Sequence, residues 1–196
     1  MRKRAWYLYL AGGVVLGLMY YLGPRFMRTG PVMNVVGGSA AVAILIGVRL
    51  NRPRVAAAWY LFAAGLVLFV SGDVITYNYE RFFHTVAPFP SKGDALYLAV
   101  YPVLVAGLVL LVRGRNPGRD RPALIDALVI SIGVGVLSWV FLMAPNATNS
   151  EFTLLQKATS VAYPLGDLLL GGMILIFIRL EKAAARRNNW SHVGGS

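Results

Sequence analysis

The residues best placed to do chemistry are carboxylates lodged in apolar stretches. Asp167, in Tyr163-Pro164-Leu165-Gly166-Asp167, lies within a run that otherwise reads as a membrane-spanning helix. A charge at that depth costs about 3 kcal/mol even on the most lenient insertion scale, so a helix that carries one is seldom a plain anchor. Asp73, Asp94 and Asp126 also lie in, or at the ends of, apolar runs. Tyr97 and Tyr101 follow Asp94 at +3 and +7, and Tyr163 precedes Asp167 by four, so each of these acids shares a helix face with a tyrosine. The set Asp167, Tyr163, Asp94, Tyr97, Tyr101 and Asp73 is therefore the expected ligand-binding constellation, in the outer half of a helix bundle.

Each acid also has a structural role open to it. Asp94 stands in the first turn of a helix, where free N–H groups and the macrodipole favour a carboxylate. Asp73 has Arg81 and Lys92 near it in sequence, and Asp167 has Tyr97, Tyr101 and Lys157 as candidate partners. Asp126, one turn past Pro122, is expected to form a structural charge pair with Arg119 or Arg121. Ala99-Val100-Tyr101-Pro102 and Val161-Ala162-Tyr163-Pro164 echo each other. Pro102 and Pro164 each free a carbonyl one turn earlier and are expected to kink their helices. Two kinks at similar depth would open an outward-facing polar pocket.

Other chemistries have no residues to support them. There is no glycine-rich phosphate loop, no His-Glu-x-x-His and no serine–histidine–carboxylate set. His84 and His192 are the only histidines, and both fall outside the spans, so a bis-histidine haem inside the bundle is not expected. With no cysteine there is neither a disulfide framework nor a thiolate metal site. No cofactor, no metal and no catalytic residue are expected of this chain. Asn146-Ala147-Thr148 matches the N-glycosylation pattern, a short and weak signal.

The elements that position these residues are apolar helices. Hydrophobic residues make up 57% of the 196 and charged residues only 14%, which fits a polytopic membrane protein and not a soluble or disordered domain. The formal charge of +11 would suit nucleic acid, but the basic residues come in short clusters between apolar runs. Topology accounts for that pattern, and no nucleic-acid partner is expected. Six spans follow, at about 5–22, 31–48, 55–75, 94–112, 122–143 and 157–178, each long enough for the hydrocarbon core. Fourteen of the 19 basic residues fall on the side of the N-terminus and five on the other, so both termini are expected in the cytoplasm. Gly13 and Gly17 in the first span, and Gly37-Gly38-Ser39-Ala40-Ala41 in the second, offer faces for close helix packing. The outer segment Thr76 to Lys92, with Tyr77, Tyr79, Phe82, Phe83 and Phe89, reads as a helix at the headgroup level. Trp59 and Trp139 read as interfacial or packing aromatics. Residues 181–196 form a basic tail whose Val193-Gly194-Gly195-Ser196 end reads as a truncation point or linker.

Four stretches, in order and at matching spacing, resemble the N-terminal integral-membrane sensory region of bacterial GGDEF and GGDEF–EAL proteins, which make or break cyclic di-GMP. They are Gly72-Asp73-Val74-Ile75-Thr76-Tyr77; Pro88-Phe89-Pro90-Ser91 with Asp94 through Pro102; Pro117-Gly118-Arg119-Asp120-Arg121 through Leu128; and Leu137 through Leu142 with Ala162 through Asp167. The resemblance implies a sensor that passes a signal to a cytoplasmic output domain. The Gly-Gly-Asp-Glu-Phe segment is absent, so this chain by itself is not expected to be the cyclase. The expected partners are the lipid bilayer, a small ligand, the output domain and a second copy in a homodimer, in the inner or plasma membrane. The rival readings are a small proton or cation transporter or channel, and a structural subunit of a larger membrane complex.

Overall fold

The computed structural model describes residues 2–22, 30–114 and 121–193, and among these it is helical with no strand. The helices are α1 (Arg2–Leu22), α2 (Gly30–Asn51), α3 (Ala56–Tyr77), a short α4 (Tyr79–Phe83), α5 (Lys92–Arg113), α6 (Arg121–Ser138), a π-helical turn (Trp139–Met143), α7 (Ala144–Thr148) and α8 (Leu154–Val193). Five stretches are long and apolar enough to cross a membrane, at 33–51, 56–77, 92–113, 127–148 and 154–180. Leu10–Leu22 adds a shorter apolar helix. The protein is an all-α membrane bundle, and its surface shows why: Phe141 is 71% exposed and Val134 51%, side chains that only lipid can solvate without cost.

The helices lie in a row and not in a closed ring. Among the described residues α1 touches α2, α2 packs on α3, α3 on α5, α5 on α8, and α8 on α6. Among these residues no ring of helices encloses a polar interior, and polar groups sit at the seams between neighbours. The seam of α3 with α5 is the tightest, because its buried positions are small. Ala58, Gly65 and Gly72 recur at sevens on α3, and Gly93, Val100 and Gly107 recur at sevens on α5. A seven-residue repeat keeps one seam facing its partner along both helices. The two run antiparallel: a Cβ added at Gly93 would lie 3.2 Å from the Gly72 carbonyl, and one at Gly107 would lie 3.3 Å from that of Ala58. Small residues let the backbones approach closely where lipid supplies no hydrophobic drive. The small faces read from the sequence are used less. A Cβ at Gly12, Gly13, Gly17 or Gly38 would meet nothing within 4 Å among the described residues, whereas one at Gly37 would stand 2.7 Å from Val70.

Two boundaries depart from the sequence reading. The fifth span continues past Met143 to Thr148 through the π-helical turn, so the connection to α8 is 149–153 and not the expected loop from Ala144 to Gln156. Pro145 accounts for the wider turn, since it has no N–H to give and its ring crowds the carbonyl one turn back. Asn146, read as part of a glycosylation pattern, sits in this helix and donates from Nδ2 to the Leu142 carbonyl at 2.8 Å. The last apolar span ends at Leu180, close to the expected 178, but its helix does not: α8 is a single helix of 40 residues, about 60 Å at 1.5 Å per residue. Pro102 and Pro164 lie inside α5 and α8 without breaking either.

Candidate functional site: three tyrosine–aspartate pairs

The six residues of the expected constellation meet as three pairs, each across a helix–helix boundary. Tyr97 Oη of α5 donates to Asp73 Oδ1 of α3 at 2.6 Å. Tyr163 Oη of α8 donates to Asp94 Oδ1 of α5 at 2.6 Å. Tyr101 Oη of α5 donates to Asp167 Oδ1 of α8 at 2.9 Å. The last two form an exchange in which each helix gives a tyrosine and takes one. They also show that α5 and α8 run parallel, since the later residue of one meets the later residue of the other.

The sequence builds this exchange with two similar helix starts. Ser91 is the N-cap of α5: its Oγ accepts from the Asp94 N–H at 3.4 Å, while its N–H and Oγ donate to Asp94 Oδ2 at 2.7 and 2.8 Å. At the start of α8, Thr153 Oγ1 accepts from the Gln156 N–H at 3.3 Å, and Gln156 Oε1 accepts from the Thr153 N–H at 2.8 Å. These are two capping boxes, and ten residues after each N-cap stands a Tyr-Pro. The second box is legible as Thr-x-x-Gln before an apolar run, a signal the sequence reading passed over. The rings of Tyr101 and Tyr163 meet edge to face with centroids 6.4 Å apart, so the echo in sequence is a contact in space. Glycines make room for these rings. A Cβ at Gly166 would lie 2.6 Å from Cε1 and Cγ of Tyr101, and one at Gly72 would lie 2.7 Å from Cε1 of Tyr97.

The three carboxylates are not equivalent. Asp94 takes donors on both oxygens, from Tyr163 and from Ser91, so its acceptor capacity is largely used in holding two helices and a cap. Asp73 is half-buried and takes the Tyr97 hydroxyl, while Lys92 stands over the Phe83 ring with Nζ 3.9 Å from the centroid. Asp167 accepts the Tyr101 hydroxyl on Oδ1, is exposed, and lies midway along the span 154–180. It lines a groove of about 240 Å³ between α6 and α8 with Ser131, Ser138, Leu142, Pro164 and Leu168. An ionised carboxylate has room for about four hydrogen bonds, so Asp73 and Asp167, each taking one tyrosine hydroxyl, both keep acceptor capacity, and Asp167 is the exposed one of the two.

In the connection between α3 and α5, α4 packs its aromatics against each other, with Tyr79 buried and its ring 4.6 Å from that of Phe83. Gln156 Nε2 donates to the Phe89 carbonyl at 3.0 Å, tying this connection to the start of α8. His84 ends α4 in the left-handed region with φ 53°. Among the described residues no group of acids, histidines or cysteines is arranged to hold a metal ion. Arg119 and the side chains of Arg121 and Asp126 lie outside the described residues. No family model, curated protein or solved structure matches the chain.

Proposed function

We propose that this chain is the sensory module of a cyclic-di-GMP signalling protein in the cell's inner or plasma membrane, non-catalytic by itself. An external or membrane-borne ligand biases the packing of α5 against α8, and α8 carries that change to a cytoplasmic output domain. The observation that carries the reading is the path of α8. Its outer half holds Tyr163 and Asp167 in the exchange with α5, and the same unbroken helix continues well past the span. A small shift where two helices exchange hydrogen bonds is then delivered at the far end of a rigid rod. A ligand moves such an equilibrium only by its differential affinity for the two arrangements. The kind of output assigned rests on the four stretches that resemble GGDEF-associated sensory regions.

The test is the natural full-length gene product, expressed in a bacterial host whose cyclic di-GMP is measured. Asp167→Asn is expected to insert normally and to shift the basal level or abolish its response. Unchanged output in that variant would remove Asp167 from the signalling path. A reading frame with no cyclase or phosphodiesterase segment would end the cyclic-di-GMP reading. Proton or cation flux through proteoliposomes of the purified protein would replace it with a transporter.

A further inference from the structure

We infer that the groove between α6 and α8 is a laterally open binding site for a lipophilic amine, with the Asp167 carboxylate as its anchor. This rests on the sensory reading above and names the chemical class of its ligand. The groove is built from one face of each helix. Ser131, Val134, Ser138 and Leu142 recur at three, four and four residues along the fifth span, while Asp167, Leu168 and Gly171 stand three, four and seven residues after Pro164 on one face of α8. Both helices are antiparallel here, since a Cβ at Gly172 would lie 3.1 Å from Ser131 Oγ and one at Gly135 would lie 4.0 Å from Leu168. Both are also of span length, and Asp167 sits about 20 Å from the start of α8 at 1.5 Å per residue, which is mid-depth in the hydrocarbon.

A carboxylate at that depth needs a counter-charge or a proton. No lysine, arginine or histidine lines the groove, and Tyr101 supplies a neutral hydroxyl. The complement is therefore a cation brought by the occupant. Ser131 and Ser138 line the same groove and add hydroxyl oxygens to its wall. The rest of the wall is Val134, Leu142, Pro164 and Leu168, so the occupant's body is apolar and continues into the lipid. A volume of about 240 Å³ accommodates an ammonium and the first part of an alkyl chain and is smaller than the pockets that enclose whole drug-sized ligands. A phospholipid headgroup does not reach this depth, which leaves a single-chain amine as the class that fits.

The experiment uses the full chain in phosphatidylcholine nanodiscs, with a diazirine-bearing alkyl primary amine and the matching alcohol as probes. Crosslinks are located by mass spectrometry. The amine is expected to label 131–142 and 164–172, and the alcohol about tenfold less, the loss that accompanies removal of a charge-assisted hydrogen bond. Asp167→Asn is expected to bring the amine down to the alcohol's level. Gly171→Leu serves as a second variant, because a Cβ there meets nothing within 4 Å, so it fills the groove without touching the exchange with α5. It is expected to block labelling while circular dichroism and the melting transition stay unchanged. Equal labelling by amine and alcohol, or labelling indifferent to both substitutions, overturns the site. Absence of probe labelling, together with disulfide bonds that form between copies carrying an introduced cysteine at 134 or 168, overturns it in favour of an interface between copies. The amine is then added to cells bearing the full-length protein. Labelling at the groove without any change in cyclic di-GMP would retain the site and sink the sensory reading. A cyclic-di-GMP response with no labelling would do the reverse.

Discussion

Tyr97 and Asp73 isolate the question of what a tyrosine–aspartate pair is worth inside a membrane. Hydrogen bonds between spanning helices average about 0.6 kcal/mol in double-mutant cycles, with the best near 1.7 kcal/mol. Leaving a carboxylate without its donor costs more than the pair contributes, because the charge then has no partner in a medium that cannot solvate it. Tyr97→Phe is therefore expected to lower stability by about 1–3 kcal/mol, and Asp73→Leu with Tyr97→Phe by less than Tyr97→Phe alone. Steric-trap unfolding in bicelles measures both, and a double variant weaker than the single would contradict the argument. At Gly166 the expectation is steric. A methyl group 2.6 Å from the Tyr101 ring must push α5 and α8 apart or turn the ring out, so Gly166→Ala should loosen the Tyr101–Asp167 contact. Faster exchange of amide protons around Tyr101 and Asp167, with little change near Gly65, is the signature.

At the scale of the elements, the two capping boxes set where α5 and α8 begin. Because Asp94 serves the cap through Oδ2 and Tyr163 through Oδ1, the start of α5 and the seam with α8 share one side chain. Ser91→Ala is expected to cost about 1 kcal/mol, the usual loss for an N-cap hydroxyl. It should also weaken the α5–α8 seam, because Asp94 loses a restraint on its orientation. Thr153→Ala should cost about the same with no such effect, since Gln156 makes no contact with a tyrosine hydroxyl. Equal effects of the two on hydrogen exchange at Tyr163 would refute the coupling.

At the scale of the whole molecule, α8 carries the polar seam past the end of its span as one rod, which in the proposed orientation ends in the cytoplasm. A single residue inserted after Leu180 rotates everything beyond it by about 100°, while seven residues restore the phase to within about 20°. Output in the full-length protein is thus expected to change sharply with one inserted residue and to recover with seven. Output that declines steadily with insert length would indicate a flexible tether instead. The absence of cysteine makes orientation easy to settle. A cysteine at 150 should react with an impermeant maleimide in intact cells, and one at 188 only after permeabilisation, if both termini are cytoplasmic.

The sequence by itself determined that the chain is a set of apolar helices and which polar residues stand apart within them. The reason is that hydrocarbon imposes its rule residue by residue: each span must be apolar for its full length, so every acid within one stands out. Asp73, Asp94, Asp167 and their neighbouring tyrosines were visible on that ground alone. Which acid meets which tyrosine was not, because a tyrosine three to seven residues from an acid on one helix gave its hydroxyl to a different helix. Only the packing of α5 parallel to α8, and antiparallel to α3, brings Tyr163 to Asp94, Tyr101 to Asp167 and Tyr97 to Asp73. The row arrangement was equally beyond the sequence. Membrane helices find neighbours through small residues and shape, and Gly13 and Gly17 look as suitable in sequence as Gly65, Gly72 and Gly107. The tertiary structure chose the second set because it recurs at sevens on both partners, so a single antiparallel seam buries it whole.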